Sequence, residues 1–478
     1  SIDDIPIDDK RTFDMISSGN NIGVFQLESS LSPICKKVKP KNVTMVSDIN
    51  ALGRPSCSPQ DRRNYTKRRL GLESSSFRHD SLKGALGDTY GVSLYEEGMM
   101  AIAKDCAGWD LNKADALRKI TKLKGKDPEM VLKTEADFLK DCMEKTGMKY
   151  EQALDIWENE IIPFGKYGFN KSHSILYSHI SVYTAWLKCH YPTEFMCGLL
   201  NSEDPNGDKA KEYLQECKRL NIEILPPSVN DSSFGYKVLG ESDIVSGFTC
   251  MKGVGEKAIN DILEHQPFSS FQDFLSRTTG RVVNKTVIQS LAKAGSLDSF
   301  NRKRKDMHDN YAKYRTKISA AVKKGRLPDE VDLPNIEEEW EFKELLKNEY
   351  QVLGRTLSGD THQMYDGFFS KSSIVTKLNK IDNKEKGDKV RVEGILKSLI
   401  KEFKIKNGKN VGKKFGKYLI EDLDGNSTGL TIWAADYSKL KGYLIEGSPF
   451  KAICKVNEYL GQKDLSLVKL ENINGKVL

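Results

Sequence analysis

Near residue 390 the apolar residues of this chain change their period, and no single core can satisfy both patterns. Upstream, stretches such as Ala114–Met148 repeat apolar side chains at helical spacing with few breakers. From Val390 to Ile473 they alternate in short runs, VRVEGIL, GKYLIEDL, LTIWAA and PFKAICKVNEY, separated by glycine turns. That pattern predicts a small β-barrel. The fold class expected is therefore multidomain and mainly α, followed by a small β-barrel. At 478 residues the chain has room for three or four domains.

Breakers divide the helical part. NSEDPNGD at Asn201–Asp208 is turn-rich, and a helix resumes over Lys209–Leu220. Pro226 and Pro227 force Ile224–Asn230 to be extended. Residues 245–300 read as a small helical unit, and Arg302–Glu338 as a charged helix followed by a loop. The domains expected are 1–203, 204–300, a charged helical linker at 301–388, and the barrel at 389–478. In Ser174–Leu200, most of the aromatics Tyr177, Tyr183, Trp186, Tyr191 and Phe195 read as core.

Charge narrows the function classes. The net charge of +7 is mild, but the cations cluster. Arg62, Arg63, Lys67, Arg68 and Arg69 form one group, Arg118 to Lys126 a second, and Arg302 to Lys305 a third. Phe403–Ile420 holds six lysines and no acid. One such cluster reads as a solvated face, whereas four suit a polyanion. No apolar run is long enough to span a bilayer, and SIDDIPIDDK does not read as a secretory signal. The nine cysteines include no C-x-x-C pair, so neither a zinc site nor a disulfide framework is expected. A reducing cytoplasm fits that pattern. The chain also lacks a strand–G-x-G-x-x-G–helix and a Gly-Lys-Ser/Thr loop, which argues against an NAD or P-loop enzyme.

Two segments concentrate chemistry. FGKYGFNKSHS, Phe164–Ser174, places Lys166, Asn170, Lys171 and His173 among glycines and aromatics at the start of a helix. Its side chains can reach phosphate oxygens, and helix-terminal amides favour an anion. ADALRKITKLKGK, Ala114–Lys126, carries Arg118 and Lys122 at i and i+4, with Lys119 beside them. That ridge suits a triphosphate or, on spacing alone, a charged helix face.

With these segments in view, the chain resembles the family C replicative DNA polymerases, the family of bacterial DNA polymerase III alpha subunits. VFQLES at Val24–Ser29, YEEGMMAIA at Tyr95–Ala103, Ala114–Met130, GFNKSHS at Gly168–Ser174 and Leu187–Leu200 resemble consecutive blocks of that family's fingers. Ile224–Asn230 and MKGVGEKA at Met251–Ala258 follow in the family's order. The resemblance implies that the fingers hold the incoming deoxynucleotide. Arg118 and Lys119 match the family's paired basic residues for the triphosphate, and Asn170, Lys171 and His173 its nucleotide-facing loop. Arg54 lies in LGRPSC, where the family usually has Arg-Pro-Gly-Pro; Ser56 and Cys57 depart from that turn.

The resemblance also implies Mg²⁺ held by palm aspartates, and no matching aspartate strand is found in this sequence. Asp3, Asp4, Asp8 and Asp9 resemble the passage leading into the fingers instead, and Asp422–Asp424–Gly425 reads as a hairpin turn. No catalytic or metal-binding residue is therefore expected here. The palm would lie in a second, partner part, with this chain inactive alone. The alternative is a non-catalytic DNA-binding scaffold derived from such a polymerase.

MKGVGEKAINDI at Met251–Ile262 fits a helix-hairpin-helix module, with Lys252, Gly253, Gly255 and Lys257 presenting amides and ammonium groups to a phosphate. A second helical hairpin is expected at Val283–Gly295. The β-region Val390–Ile473 resembles an OB fold, which the family also carries after the fingers; there Lys404, Lys406, Lys413 and Lys414 are candidate DNA contacts, with Phe403, Phe415, Tyr418 and Trp433 as stacking platforms. The expected partners are DNA primer-template, deoxynucleoside triphosphate and the palm-bearing part, with no membrane. A sliding clamp is left open, because Tyr350–Tyr365 resembles the family's linker but no glutamine-led clamp-binding peptide precedes it.

Overall fold

The computed structural model describes residues 1–478 except 29, 55–56, 123–126, 164–168, 206, 335, 366, 371–373, 406–409, 424–425, 460–461 and 478, and except the side chains of 116, 118–122, 208, 362, 459, 462 and 477. Two compact units result. The first comprises residues 1–224 and 236–244, the second 225–235 and 245–478.

The first unit is helical around two cores. One gathers Phe13, Ile16, Val46, Ile49, Tyr65 and Val182. The other gathers Ile102, Cys106, Leu117, Phe138, Ile156 and Trp157. Caps set the helix starts. Asn42 accepts from the Met45 amide ahead of Val43–Leu52. Ser58 does the same for Asp61 ahead of Pro59–Arg69, where Pro59 suits the first helical position. The expected helical stretch Ala114–Met148 is two helices, Leu111–Lys122 and Pro128–Thr146, because Asp127 and Pro128 start a new one.

Lys171–His190 corrects an expectation. Its buried face is Ser174, Ser178, Ser181, Val182, Ala185 and Lys188, while Tyr177, Tyr183 and Trp186 are only half-buried and Tyr191 is exposed. Small side chains let this helix approach Val43–Leu52 closely. Ser174 Oγ donates to the Ser47 carbonyl at 3.0 Å, and Asn50 Nδ2 to Ser178 Oγ at 3.1 Å. Bulky rings on that face would hold the helices apart.

A buried ion pair closes the helix's far end. Lys188 and Glu216 meet at 2.6 Å with side chains 0% and 2% exposed. Lys188 Nζ also donates to the Asn20 and Ile22 carbonyls, and Arg219 to both Glu216 oxygens. Burial alone would raise Glu216, but the hydrogen bonds from Arg219 and Lys188 outweigh it and hold the carboxyl below its ordinary range.

After the short strands β1 (Glu223–Leu225), β2 (Lys237–Val238) and β3 (Asp243–Val245), the second unit again has two cores. Helices Glu256–His265, Phe271–Arg277, Lys285–Lys293, Arg304–Val322 and Phe342–Leu353 share the first, through Ile259, Phe274, Leu291, Met307, Ile318 and Val352. The charged segment after 301 thus packs into the helical-hairpin core. Arg304 is its polar tie, paired with Asp298 and with the fully buried Glu349.

The second core lies inside a barrel of β4 (Lys389–Lys404), β5 (Lys414–Glu421), β6 (Ser427–Ile432), β7 (Pro449–Tyr459) and β8 (Gln462–Ile473), with β9 (Lys476–Val477) at the edge. The order is β6-β5-β4-β7-β8-β9, and a parallel β6–β8 pairing at Leu430–Leu465 closes it. The helix Ala434–Leu440 sits between β6 and β7. Five strands closing in this order form the OB barrel. Gly416, Tyr418 and Ile420 of β5 and Phe450, Ala452, Cys454 and Val456 of β7 point inward at every second residue.

Replacing Lys188 with alanine leaves Glu216 buried with only Arg219 as its cationic partner, and should cost the first unit about 3–5 kcal/mol in urea unfolding.

Candidate functional site

The described part of FGKYGFNKSHS begins at Phe169. Its backbone bridges Tyr95, and the Glu96 amide donates to the Phe169 carbonyl at 3.0 Å. Arg54 crosses from the end of Val43–Leu52 and lays its guanidinium 3.8 Å above the Phe169 ring. Asn170 caps the following helix, with Oδ1 accepting from the His173 amide at 2.8 Å. His173 stacks against Tyr177 at 4.1 Å and lies edge-on to Phe169 at 5.9 Å. The Lys171 ammonium lies 5.7 Å over the Tyr95 ring. Asn170 and His173 are exposed and Lys171 half-buried. Arg54, Asn170, Lys171 and His173 are therefore brought together. Arg118 and Lys119 lie on Leu111–Lys122, but their side chains, like the whole of Lys166, lie outside the described residues.

Beneath this surface is a buried polar network that the sequence reading missed. Asp48, 3% exposed, accepts from the hydroxyls of Tyr65 at 2.6 Å and Tyr95 at 2.7 Å. Burial raises Asp48, and the two hydroxyl donors offset part of the rise. Ser47 Oγ completes the cluster at 2.8 Å from the Tyr95 hydroxyl. Glu97 was missed as well, although it lies in the block Tyr95–Ala103. Its two carboxylate oxygens both accept from the Lys171 amide at 3.0 Å. The expectation that the first amides of this helix face an anion is thus corrected at Lys171 and His173, whose amides are taken by Glu97 and Asn170. The cations beside this helix start are Arg54 and Lys171.

A cavity of about 130 Å³ adjoins Arg54 and Phe169, lined also by Asp61, Arg78, Ser93 and Glu160. Arg78 is bound there to Asp155 and Glu160 at 2.8 Å each. Asp9, weighed in the sequence as an acid, has a structural task. It caps Lys10–Ser18 through the Thr12 amide at 2.9 Å and meets His190 Nε2 at 2.9 Å. Among the described residues, no group of three His, Cys, Asp or Glu side chains could hold a metal ion.

In the second unit, Lys252, Gly253 and Gly255 are exposed on the turn before Glu256–His265, and Lys257 is exposed in its first turn. Gly253 has φ +86°, and a Cβ there would stand 2.7 Å from Ser290 Oγ, so only glycine lets the two hairpins pack. The second hairpin does not lie within Val283–Gly295, which holds the single helix Lys285–Lys293 capped by Asn284; its other arm is Phe271–Arg277.

On the barrel, Phe403 and Phe415 are cross-strand partners stacked at 5.0 Å, and Trp433 continues the stack at 4.9 Å from Phe415. Trp433 is 49% exposed. Tyr418 does not join them. It points inward, 4% exposed, because β5 alternates and Phe415 takes the outer face three residues earlier. Lys404 and Lys413 are exposed. Lys414 is paired at 2.6 Å with Glu402, which also binds Lys441 at 2.7 Å. Hydrogen bonds from Lys414, Lys441 and Tyr437 hold Glu402 down to about 2. The acid-free run thus meets an acid across the hairpin. Lys406 lies outside the described residues. Asp422 accepts from the Asn426 amide in the β5–β6 turn, as a hairpin residue should.

Residues 1–146 match the bacterial DNA polymerase III alpha subunit finger domain, and residues 221–307 a helix-hairpin-helix motif. The chain is similar to the DNA polymerase III subunit alpha of Campylobacter jejuni, 33% identical over 92% of this chain and 38% of that protein. The subunit from Borreliella burgdorferi is 31% identical over 100% of this chain and 43% of that protein. That from Thermus aquaticus is 40% identical over 62% of this chain and 25% of that protein. The chain thus spans about two-fifths of the first two relatives.

Asp9 supplies a pH test. Burial raises its carboxyl, but the bonds from His190 and Thr12 lower it further, to about 2 from 3.8. The folded state therefore binds this proton less readily than the unfolded one, so the stability it contributes is full above pH 3.8 and lost as pH falls toward 2. Asp9→Ala should flatten that part of the acid-unfolding curve and remove about 1 kcal/mol of cap energy at neutral pH, read by thermal melts.

Proposed function

The chain belongs to the family of bacterial DNA polymerase III alpha subunits, and we propose that it is the part of such a polymerase that binds incoming deoxynucleoside triphosphate and primer-template DNA. The observation that carries the reading is the convergence of Arg54, Asn170, Lys171 and His173 around Phe169, within a chain whose first 146 residues match the finger domain. Arg54 and Lys171 are cations braced by aromatic rings, and so are preorganised for phosphate oxygens. In this reading Arg118, Lys119 and Lys166 add charge to the triphosphate. His173 and its ring partner Tyr177 pack against the sugar or base.

The hairpin amides and Lys252 and Lys257 grip the duplex backbone without reading sequence. On the barrel, the stack of Phe403, Phe415 and Trp433, with Lys404, Lys406 and Lys413, takes single-stranded template. Lys414 contributes less than its neighbours, since Glu402 already neutralises it.

The family's chemistry uses Mg²⁺, which holds and activates the reacting phosphate oxygens. The described residues do not fit that group, since no three of their acidic, histidine or cysteine side chains converge. We therefore assign the metal to a palm-bearing part, and this chain to substrate binding. No helix among the described residues is long and apolar enough to cross a membrane, and the reading places the assembly in the cytoplasm.

The test is nucleotide binding and primer extension. The chain should bind deoxynucleoside triphosphate, and Lys171→Ala or Arg118→Ala should each weaken that binding about 10–100-fold, as loss of a charge-assisted contact does. Primer extension should require a palm-bearing alpha-subunit fragment. Salt-sensitive DNA binding without any triphosphate affinity would instead identify a non-catalytic scaffold.

A further inference from the structure

Among the described residues, Arg315 has no carboxylate at ion-pair distance. It lies half-buried on Arg304–Val322, beyond the residues that match the helix-hairpin-helix motif. Its Nη1 donates to the Val283 carbonyl at 2.8 Å and its Nη2 to Thr278 Oγ1 at 2.9 Å. Both acceptors belong to the loop of the second hairpin. Gly280 permits the wrap, since a Cβ there would stand 3.2 Å from Nη1. The Nε is buried without a hydrogen-bond partner. The neighbouring arginines differ. Arg302 is paired with Asp306, and Arg304 with Asp298 and Glu349. Around Arg315, the groups that offset burial are only Tyr311 and Asp261, neither at ion-pair distance, and burial pushes its pKa down. A guanidinium withdrawn from water in this way favours an external anion.

The space for one is present. A cavity of about 550 Å³ opens between this helix and the second hairpin, lined by Arg315, Lys285, Lys323, Asn284 and Tyr311. Lys285 and Lys323 stand exposed at its mouth. It adjoins the first hairpin, because a Cβ on Gly253 would lie 3.3 Å from Thr286, the residue next to Lys285.

We propose that Arg315, Lys285 and Lys323 form a phosphate site for the backbone of duplex DNA, extending the grip of the first hairpin onto the following helix. Two of the five donors of the fork are committed and Nε is buried, so the N–H groups left on Nη1 and Nη2, with the two ammonium groups, match phosphodiester oxygens. This rests on the reading of the hairpin unit as DNA-binding.

The experiment measures duplex affinity of the whole chain by fluorescence anisotropy across a salt series. Lys285→Ala with Lys323→Ala should lower the magnitude of the log K against log salt slope by about 2, one per lost phosphate contact. Lys343→Ala with Lys347→Ala removes the same charge from an exposed helix face, and should leave the slope unchanged. Arg315→Lys keeps the charge but not the fork, and should weaken binding several-fold at unchanged slope. If the slope falls for Lys252→Ala with Lys257→Ala but not for Lys285→Ala with Lys323→Ala, this site is overturned while the hairpin reading stands. If neither pair changes it, the hairpin reading itself fails. Inorganic phosphate is the competing arm. Protection of thermal stability by phosphate that is lost in Lys285→Ala with Lys323→Ala, alongside unchanged duplex binding, would identify a free-anion site and overturn the proposal.

Discussion

Asp48 ties together the helices beneath the surface that carries Arg54 and Lys171 in the first unit. It receives the hydroxyls of Tyr65 and Tyr95 from two different segments, and its neighbour Ser47 holds Tyr95 and Ser174. A buried carboxyl is costly unless its acceptors are filled, so the network is stable only when all three partners are in place. Their placement fixes the register of Val43–Leu52 against Lys171–His190, and with it the distance from Arg54 to Phe169. The guanidinium–ring contact at 3.8 Å is thus the outer end of a chain of constraints that begins in the core.

The same logic explains why Glu97 occupies the start of Lys171–His190. A carboxylate on the Lys171 amide holds the strand-like bridge between Tyr95 and Phe169 closed. Its cost is the loss of that amide as an anion donor. Positive charge beside that helix start comes from Arg54 and Lys171, each set over an aromatic ring. In the proposed reading, a triphosphate would meet cations held in place by the same residues that fix the floor.

Much of this was legible in the chain, and the gaps have physical causes. The barrel was readable because period-two alternation directly encodes which face of a strand is buried, and Tyr418 could have been assigned inward from its place between Gly416 and Ile420. The hairpin glycines were readable because positive φ at Gly253 admits almost nothing else. The small-residue face of Lys171–His190 was misread, since aromatic content is a poor guide to burial when two helices must approach closely. Asp48, Glu97 and Arg315 were invisible for another reason. Their roles come from partners far away in sequence, such as Tyr95, Lys171 and Val283, and no local spacing announces such a pairing.

The barrel shows how that non-local pairing reshapes a sequence-level charge run. Six lysines without an acid suggest a uniform electrostatic track, yet the β4–β5 register sets Glu402 opposite Gly416, diagonal to Lys414, which it pairs while also holding Lys441 and the Tyr437 hydroxyl. One lysine is thereby spent on bracing the hairpin. The same register sets Phe403 opposite Phe415 and leaves Trp433 at the end of the stack. Bracing and stacking are therefore one construction. The ion pair stiffens the two strands whose rings must stay coplanar, and rings held flat by the sheet can receive a base without first being ordered. In the proposed binding of single strands, affinity should depend more on the rings than on the number of lysines, because the rings are preorganised and part of the charge is already committed.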